Sequence, residues 1–465
     1  MRSATAGLEF VLNGNAVRET DIAPQVTLLD YIRQRGLTGA KEGCAEGECG
    51  ACAVLFVESS GSARSSYHAV NSCLVPLPAA AGREVYTVES LAESGSLCEV
   101  QRAMAAGGGS QCGYCTPGFV ISMFAQQCRG GATDFDADAL GGNLCRCTGY
   151  RPIRDAMRAV NARETQAPES DTLLRRRPRS PAPTVEPMHY RAARGEFSRP
   201  CDLGECLRLS QADDSAHYVA GNTDLGVVTN LRHRRFTHLI SLEGIPELRE
   251  FSETAEAVEI GAGLTLTEIG DRWNHAPEVF RYWLRLFASP LIRNRATLGG
   301  NLATASPIGD SAPLLLALDA AVRIAGINGE RVVPLSAFFH DYRRTALARG
   351  EILRSVRIPK SLPAHARFYK VAKRRVDDIS TVAAGFAIRK DDAGRITSAR
   401  MAFGGVAAIP LRVAEAEEAM AAGDTEGAKE ILRRTLRPIG DHRGSASYRL
   451  AMAQSLLDKF WWEMG

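Results

Sequence analysis

The chain has 465 residues, 45% hydrophobic and 23% charged, the balance of a soluble globular protein with room for about three domains. Its 56 basic and 53 acidic residues leave a net charge of +3, which gives no electrostatic case for binding nucleic acid or an anionic membrane. The most apolar run, Pro313 to Ala325, is broken by Asp319 and Arg323, and the opening MRSATAGLEFVLNG has no apolar secretory core, so a cytoplasmic protein is expected.

Residues 8 to 18 alternate apolar and polar around Asn13-Gly14, which predicts a β-hairpin. Thr27 precedes LLDYIRQRGL with Asp30 three residues on, an N-cap and first turn. A Gly- and Cys-rich loop from Gly39 to Cys52 follows, then an apolar strand from Ala53 to Val57. Beyond about residue 85 the pattern turns helical, with helices expected over Val88 to Ala106, Thr116 to Cys128 and Pro152 to about Arg163. Residues 164 to 190 are rich in Pro, Ser, Thr and charge and read as a solvated linker rather than a targeting signal at Arg175 to Arg179. After it, Gly-punctuated strands (His217 to Ala220, Val258 to Ile260, Ala321 to Ile324) alternate with helical stretches. A further boundary is expected near Pro359 to Pro363. Strands around Tyr369, Val382 to Ile388 and Ile396 to Phe403 then precede C-terminal helices. The aromatic tail Phe460-Trp461-Trp462 reads as packing, with docking to a partner as the functional alternative.

The chain has 12 cysteines, ten of them before residue 150. A cytoplasmic chain of this length needs no disulfides for its core, so metal binding is the leading explanation. Cys44-x4-Cys49-x2-Cys52, with Cys73 further on, is the plant-type ferredoxin spacing, in which one loop supplies three thiolates to a 2Fe-2S cluster and a distant strand or turn the fourth. Gly43, Gly47 and Gly50 let backbone N-H groups approach the sulfurs. The second group, Cys112-x2-Cys115 and Cys145-x-Cys147, also makes four ligands, but its spacing permits zinc as readily as 2Fe-2S. Cys98, Cys128, Cys201 and Cys206 remain as reduced, packed or surface thiols.

The strings KEGCAEGECGAC (41 to 52), SQCGYCTPG (110 to 118) and GGNLCRCTGYRPI (141 to 153) closely resemble the iron-sulfur domains of the xanthine dehydrogenase and molybdenum hydroxylase family. Cysteine matches all eight of the family's ligand positions, and Gln111 stands before Cys112 as it usually does there. The resemblance implies 2Fe-2S at both groups, with the helical cluster nearer the molybdenum and the ferredoxin-like one nearer the flavin.

Residues 191 to 465 lack a Rossmann GxGxxG fingerprint; GAGLTLTEIG (261 to 270) misplaces its third glycine. Two other glycine loops stand out: Val219-Ala220-Gly221-Asn222-Thr223-Asp224, and Ala296-Thr297-Leu298-Gly299-Gly300-Asn301 leading to Thr304-Ala305-Ser306-Pro307. Glycines admit backbone N-H groups to a diphosphate, and Asn and Thr add neutral donors, although such loops also serve as plain turns. These strings resemble the family's FAD-binding domain. The match places FAD contacts at Val219, Ala220, Gly221, Asn222, Thr223, Asp224 and Leu225, and at Thr297, Leu298, Gly299, Gly300 and Asn301. It adds Phe287, Asp310, Leu353 and Lys370. Read without the family, Phe287 and Leu353 are core residues, Lys370 a solvated charge, and Lys373 to Asp378 a solvated loop.

The expected fold is therefore α+β multidomain. A plant-type ferredoxin-like β-grasp domain (1 to 84) and a helical 2Fe-2S domain (85 to 163) precede the linker (164 to 190). A non-Rossmann α+β FAD-binding domain (191 to 359) and a C-terminal α+β flavoprotein domain (360 to 465) follow it. The resemblance implies an electron-transfer subunit of the split bacterial type. Its large partner subunit would carry the molybdenum cofactor and hydroxylate hypoxanthine or xanthine, in an α2β2 heterotetramer that passes electrons through two 2Fe-2S clusters and FAD to NAD. An aldehyde, nicotinate or aromatic acyl-CoA enzyme of the family is the alternative. No catalytic residue is expected on this chain, because 465 residues leave no room for the substrate site.

Overall fold

The computed structural model describes residues 7–59, 65–92, 95–129, 136–163, 184–363 and 365–464. Most of the expected linker lies outside them. The chain forms two compact units, one of residues 1–244 and 289–296, the other of 245–288 and 297–465.

The first unit opens with the expected hairpin, Leu8–Leu12 and Asn15–Glu19, turned by Asn13 and Gly14 at positive φ. Leu8–Leu12 also pairs in parallel with Glu84–Tyr86, and Ala53–Ser59 and Ser65–Asn71 complete a five-stranded mixed sheet. The helix Leu28–Gln34 buries Leu28, Leu29, Tyr31 and Ile32 under it, and Thr27 caps that helix by accepting from Asp30 N at 3.0 Å. This is the β-grasp arrangement. On the other face of the sheet, Leu55, Val57 and Tyr67 pack with Phe119, Ile121 and Phe124 of the helix Thr116–Arg129 and with Met157 of the helix Arg151–Arg163. The helix expected over Val88 to Ala106 is two pieces, a short turn at Val88–Leu91 and a helix at Glu99–Ala106. The Gln101 side chain accepts from Cys98 N and fixes the start of the second piece.

A second sheet of this unit takes the order Met188–Ala192, Gly195–Arg199, His238–Ser241, Ala216–Val219. Alternation turns Tyr190, Phe197, Val219 and Leu239 into the core shared with the ferredoxin-like part.

The second unit contains an antiparallel sheet ordered Phe251–Glu253, Ala257–Gly261, Ile352–Pro359, Ala321–Gly326, Gly329–Pro334. A further sheet of His365–Val371, Val382–Lys390, Ile396–Gly404 and Leu411–Arg412 is covered by three helices, Ala414–Ala421, Thr425–Thr435 and Ala446–Glu463. Of the aromatic tail only Phe460 packs fully, stacked on Phe386 at 4.8 Å; Trp462 is 81% exposed. The packing expected of all three residues is corrected there, because the helix turns the last indole away from the sheet. Among the described residues no helix is long and apolar enough to cross a membrane.

Candidate functional site

The cysteine loop at 44 to 52 owes its path to residues that tolerate positive φ: Ala45, Gly47 and Gly50 all adopt it. A Cβ on Gly47 would sit 2.5 Å from Leu74 Cδ1, and one on Gly43 2.7 Å from Cys49 Sγ, so the loop closes only around glycine. Inside it the thiols of Cys44 and Cys49 are hydrogen-bonded, and Cys52 Sγ lies 3.3 Å from Cys73 Sγ. Hydrogen bonds from the Cys49 thiol and the Glu46, Glu48 and Cys49 backbone outweigh burial and pull the Cys44 thiol down to about 5. Their mutual bond splits the other pair the same way, Cys52 down and Cys73 up.

In the helical part the pairs are Cys112 with Cys147 and Cys115 with Cys145. Cys115 immediately precedes the helix Thr116–Arg129, and Thr148 N donates to Cys145 Sγ at 3.4 Å. These pairings bear on the choice between zinc and 2Fe-2S. Four thiolates on one tetrahedral zinc, at about 2.3 Å each, lie about 3.8 Å from one another. Among the described residues only His189, Glu196 and His238 bring three ligand atoms mutually within 4.8 Å, so no three of the eight sulfurs do. Two separated pairs suit two bridged irons that take two thiolates each.

The two cysteine groups are joined by close backbone contact. Leu144 N donates to Cys49 O at 3.0 Å, and Asn143 Nδ2 to Gly50 O at 3.3 Å. A Cβ on Gly118 would lie 2.1 Å from Gly50 O, so glycine at 118 permits the approach. Asn143, absent from the sequence reading, stands inside the GGNLCRC string, which was the available signal. The groups differ in exposure: Cys52 and Cys73 are buried, whereas Cys112 and Cys147 are exposed beside the exposed side chains of Tyr114, Leu144 and Tyr150. The four leftover cysteines divide into buried Cys98, Cys128 and Cys206 and half-buried Cys201.

The loop 219 to 225 belongs to the first unit. Gly221 packs so tightly on the backbone of Arg295 that a Cβ would fall 1.7 Å from its carbonyl oxygen. Asn222 takes φ 62° and donates from Nδ2 to Leu74 O at 2.7 Å, one residue past Cys73. Asn230, which no motif singled out, donates to Ala45 O and Cys73 O, each at 2.8 Å. The loop 219 to 225 and the helix after it thus hold the cysteine loop.

The loop 297 to 301 belongs to the second unit. Thr297 caps the helix Leu298–Ala303 by accepting from Gly300 N at 3.0 Å, and Gly299 N donates to Ala262 O at 3.0 Å. Asn301 Oδ1 is buried with no hydrogen-bond partner, an acceptor that an N-H or O-H of a bound cofactor would satisfy. Lys370 is not the solvated charge it would be if read without the family. Its side chain is covered, donating from Nζ to Asp310 Oδ2 at 2.7 Å and to Leu286 O at 3.1 Å. Ser380 donates to the other carboxylate oxygen of Asp310, and Trp283 Nε1 to its carbonyl at 3.0 Å. The Lys370 partner lies 60 residues away, beyond the reach of local sequence. Phe287 packs edge-on against Trp283 at 5.6 Å, and Leu353 is buried in a central strand paired with Ile324, both as core residues would be. The loop Lys373 to Asp378 is held in part: Arg374 N donates to Asp378 Oδ2 at 2.9 Å, and Asp377 is buried.

Comparison with known proteins gives four family matches: "2Fe-2S iron-sulfur cluster binding domain" over residues 10–78, "[2Fe-2S] binding domain" over 87–158, "FAD binding domain in molybdopterin dehydrogenase" over 191–361, and "CO dehydrogenase flavoprotein C-terminal domain" over 367–464. Xanthine dehydrogenase of Emericella nidulans is 31% identical over 98% of this chain and 38% of its own length. That of Drosophila pseudoobscura pseudoobscura is 36% identical over 87% and 34%. The chain thus spans little more than a third of these relatives. Among solved structures, the carbon monoxide dehydrogenase of Hydrogenophaga pseudoflava is 29% identical with a TM-score of 0.53, covering 59% of this chain and 96% of that one. Quinoline 2-oxidoreductase of Pseudomonas putida 86 is 27% identical with the same TM-score, covering 58% and 95%.

Proposed function

Because this chain belongs to the molybdenum hydroxylase family and carries its two 2Fe-2S domains and its FAD-binding domain, we propose that it is the electron-transfer subunit of a xanthine dehydrogenase. A partner subunit bearing the molybdenum cofactor hydroxylates hypoxanthine or xanthine, NAD is the final acceptor, and the complex is a cytoplasmic α2β2 heterotetramer. When bound, the clusters carry single electrons and FAD exchanges pairs of them as hydride.

In this reading Cys112, Cys115, Cys145 and Cys147 hold the cluster nearer the partner, and Cys44, Cys49, Cys52 and Cys73 hold the other. Residues 219 to 225 and 297 to 301, with Phe287, Asp310, Leu353 and Lys370, contact FAD. Lys370 fixes the Asp310 carboxylate, and Asn301 offers its unsatisfied oxygen.

The observation that carries the reading is the unbroken run of contacts through the first unit. The N-H of Leu144, next to Cys145, donates to the carbonyl of Cys49, and the carbonyl of Leu74, next to Cys73, accepts from Asn222 of the flavin loop. Each cysteine group is therefore one hydrogen bond from the next station. The exposed Cys112 and Cys147, framed by Tyr114, Leu144 and Tyr150, give the run an outward end where a donor subunit fits.

An aldehyde, nicotinate or aromatic acyl-CoA enzyme would use the same run. Alignment with xanthine dehydrogenases along 98% and 87% of the chain favours the purine. The test is purification of the chain from its host. A molybdenum-containing subunit is expected to accompany it, and the complex to reduce NAD with hypoxanthine or xanthine. Isolation of the chain with no such subunit, or turnover with aldehydes or nicotinate and not with purines, contradicts the proposal.

A further inference from the structure

The second sheet of the first unit carries polar side chains that the electron path does not use. His189 pairs with Ser198 on the neighbouring strand, and Glu196 aligns with His238 on the next. Because Tyr190, Phe197 and Leu239 face the core, alternation gathers His189, Glu196, Ser198 and His238 on the opposite face. One ligand atom from each of His189, Glu196 and His238 lies within 4.8 Å of the other two.

The hydrogen bonds orient this group. Asp213 Oδ2 is 2.9 Å from His238 Nδ1, so a neutral His238 donates there and presents the lone pair of Nε2 to Ser198 Oγ, 2.8 Å away. Ser198 Oγ in turn accepts from His189 Nδ1 at 2.7 Å. The lone pair of His189 Nε2 is then turned to Glu196 Oε2 at 3.5 Å, while Arg191 Nε holds Glu196 Oε1 at 2.7 Å. His189 Nε2 and Glu196 Oε2 thus face each other with no proton between them, a place for a cation, and His238 stands close enough to join them. Asp213, His238 and Ser198 also stand in the order of a hydrolase triad, but Ser198 is 1% exposed and held between two imidazoles, so no acyl group reaches it.

We propose that His189, Glu196 and His238 form a binding site for a divalent transition metal, with Zn2+ as the type ion. Two imidazoles and one carboxylate are a borderline-metal ligand set that leaves a fourth position for water. Asp213 on the far nitrogen of His238 is the outer carboxylate that orients a ligating histidine. The side chains of His189 and Glu196 are each 29% exposed and give the ion its entry, while buried His238 anchors it from below. The site clamps the first strand after the linker to two others, so occupancy raises the unfolding temperature.

The intact chain, isolated with its iron, is dialysed against Zn2+ and its zinc counted by mass spectrometry, with a fluorescent zinc chelator giving the affinity. The expected result is a single zinc per chain. Binding at least about tenfold weaker is expected in His189→Ala and Glu196→Gln, and about tenfold to a hundredfold weaker in Asp213→Asn. The exposed His442→Ala serves as control and leaves binding unchanged. No zinc on the intact chain, or undiminished zinc in both His189→Ala and Glu196→Gln, overturns the proposal.

Discussion

Replacing Lys370 by methionine keeps the length of the side chain and removes its charge. Asp310 is 7% exposed, and the Lys370 side chain that neutralises it at 2.7 Å is 2% exposed, so water cannot take over. Removing one partner of such a buried pair costs about 3–5 kcal/mol, against about 0.2–1 kcal/mol for an exposed pair. For a unit of this size each kcal/mol lowers the unfolding temperature by about 2–4 °C, so Lys370→Met should lower the transition of the second unit by at least about 6 °C. The double variant Lys370→Met/Asp310→Asn removes the stranded charge and keeps an oxygen for Ser380. It should recover most of the loss in differential scanning calorimetry without restoring FAD affinity, because Lys370 itself is gone. A single variant that unfolds within about 2 °C of the unaltered chain, or a double variant as unstable as the single, would refute the buried-pair reasoning.

Cys115→Ser should halve the iron content and abolish xanthine-dependent NAD reduction, yet leave NADH oxidation by an artificial dye intact, since the flavin end is untouched; metal analysis and the two assays check this. Asn222→Ala removes the bond to Leu74 O and puts alanine at φ 62°, so FAD dissociation measured by fluorescence should quicken by about tenfold, the equivalent of about 1.4 kcal/mol. Burial pushes Glu58 up, but Arg83, His68 and Arg295 outweigh it and hold its carboxyl at about 2 against an ordinary 4.5. A depressed carboxylate stabilises above its unfolded value and loses that contribution as pH falls through its folded one. Urea midpoints for the first unit should therefore decline between about pH 4.5 and 2, with a shallower decline in Glu58→Gln.

Legibility in the sequence followed the range of the interaction. The hairpin at Asn13-Gly14, the cap at Thr27 and the helix after Cys115 were readable because each is decided within a few residues. The cysteine groups were readable because short loops fix ligand spacing. Spacing could not choose between zinc and a binuclear cluster at Cys112, Cys115, Cys145 and Cys147; the pairing of their sulfurs bears on that choice. Read without the family, Lys370 passes for a solvated charge because its counter-charge is distant in sequence, and Asn143, Asn230 and Ser380 draw no notice because their partners meet them only in the fold. Trp462 was misassigned to packing because composition does not show which face of the last helix meets the sheet.

The central claim is that electrons from a purine cross this chain through both cysteine groups to the flavin. Anaerobic addition of xanthine to the purified complex, followed by low-temperature electron paramagnetic resonance, tests it most directly. The account predicts two distinct reduced 2Fe-2S signals that vanish when NAD is added. Signals from one cluster only, or an unchanged spectrum after xanthine in a complex that dithionite reduces fully, would contradict it.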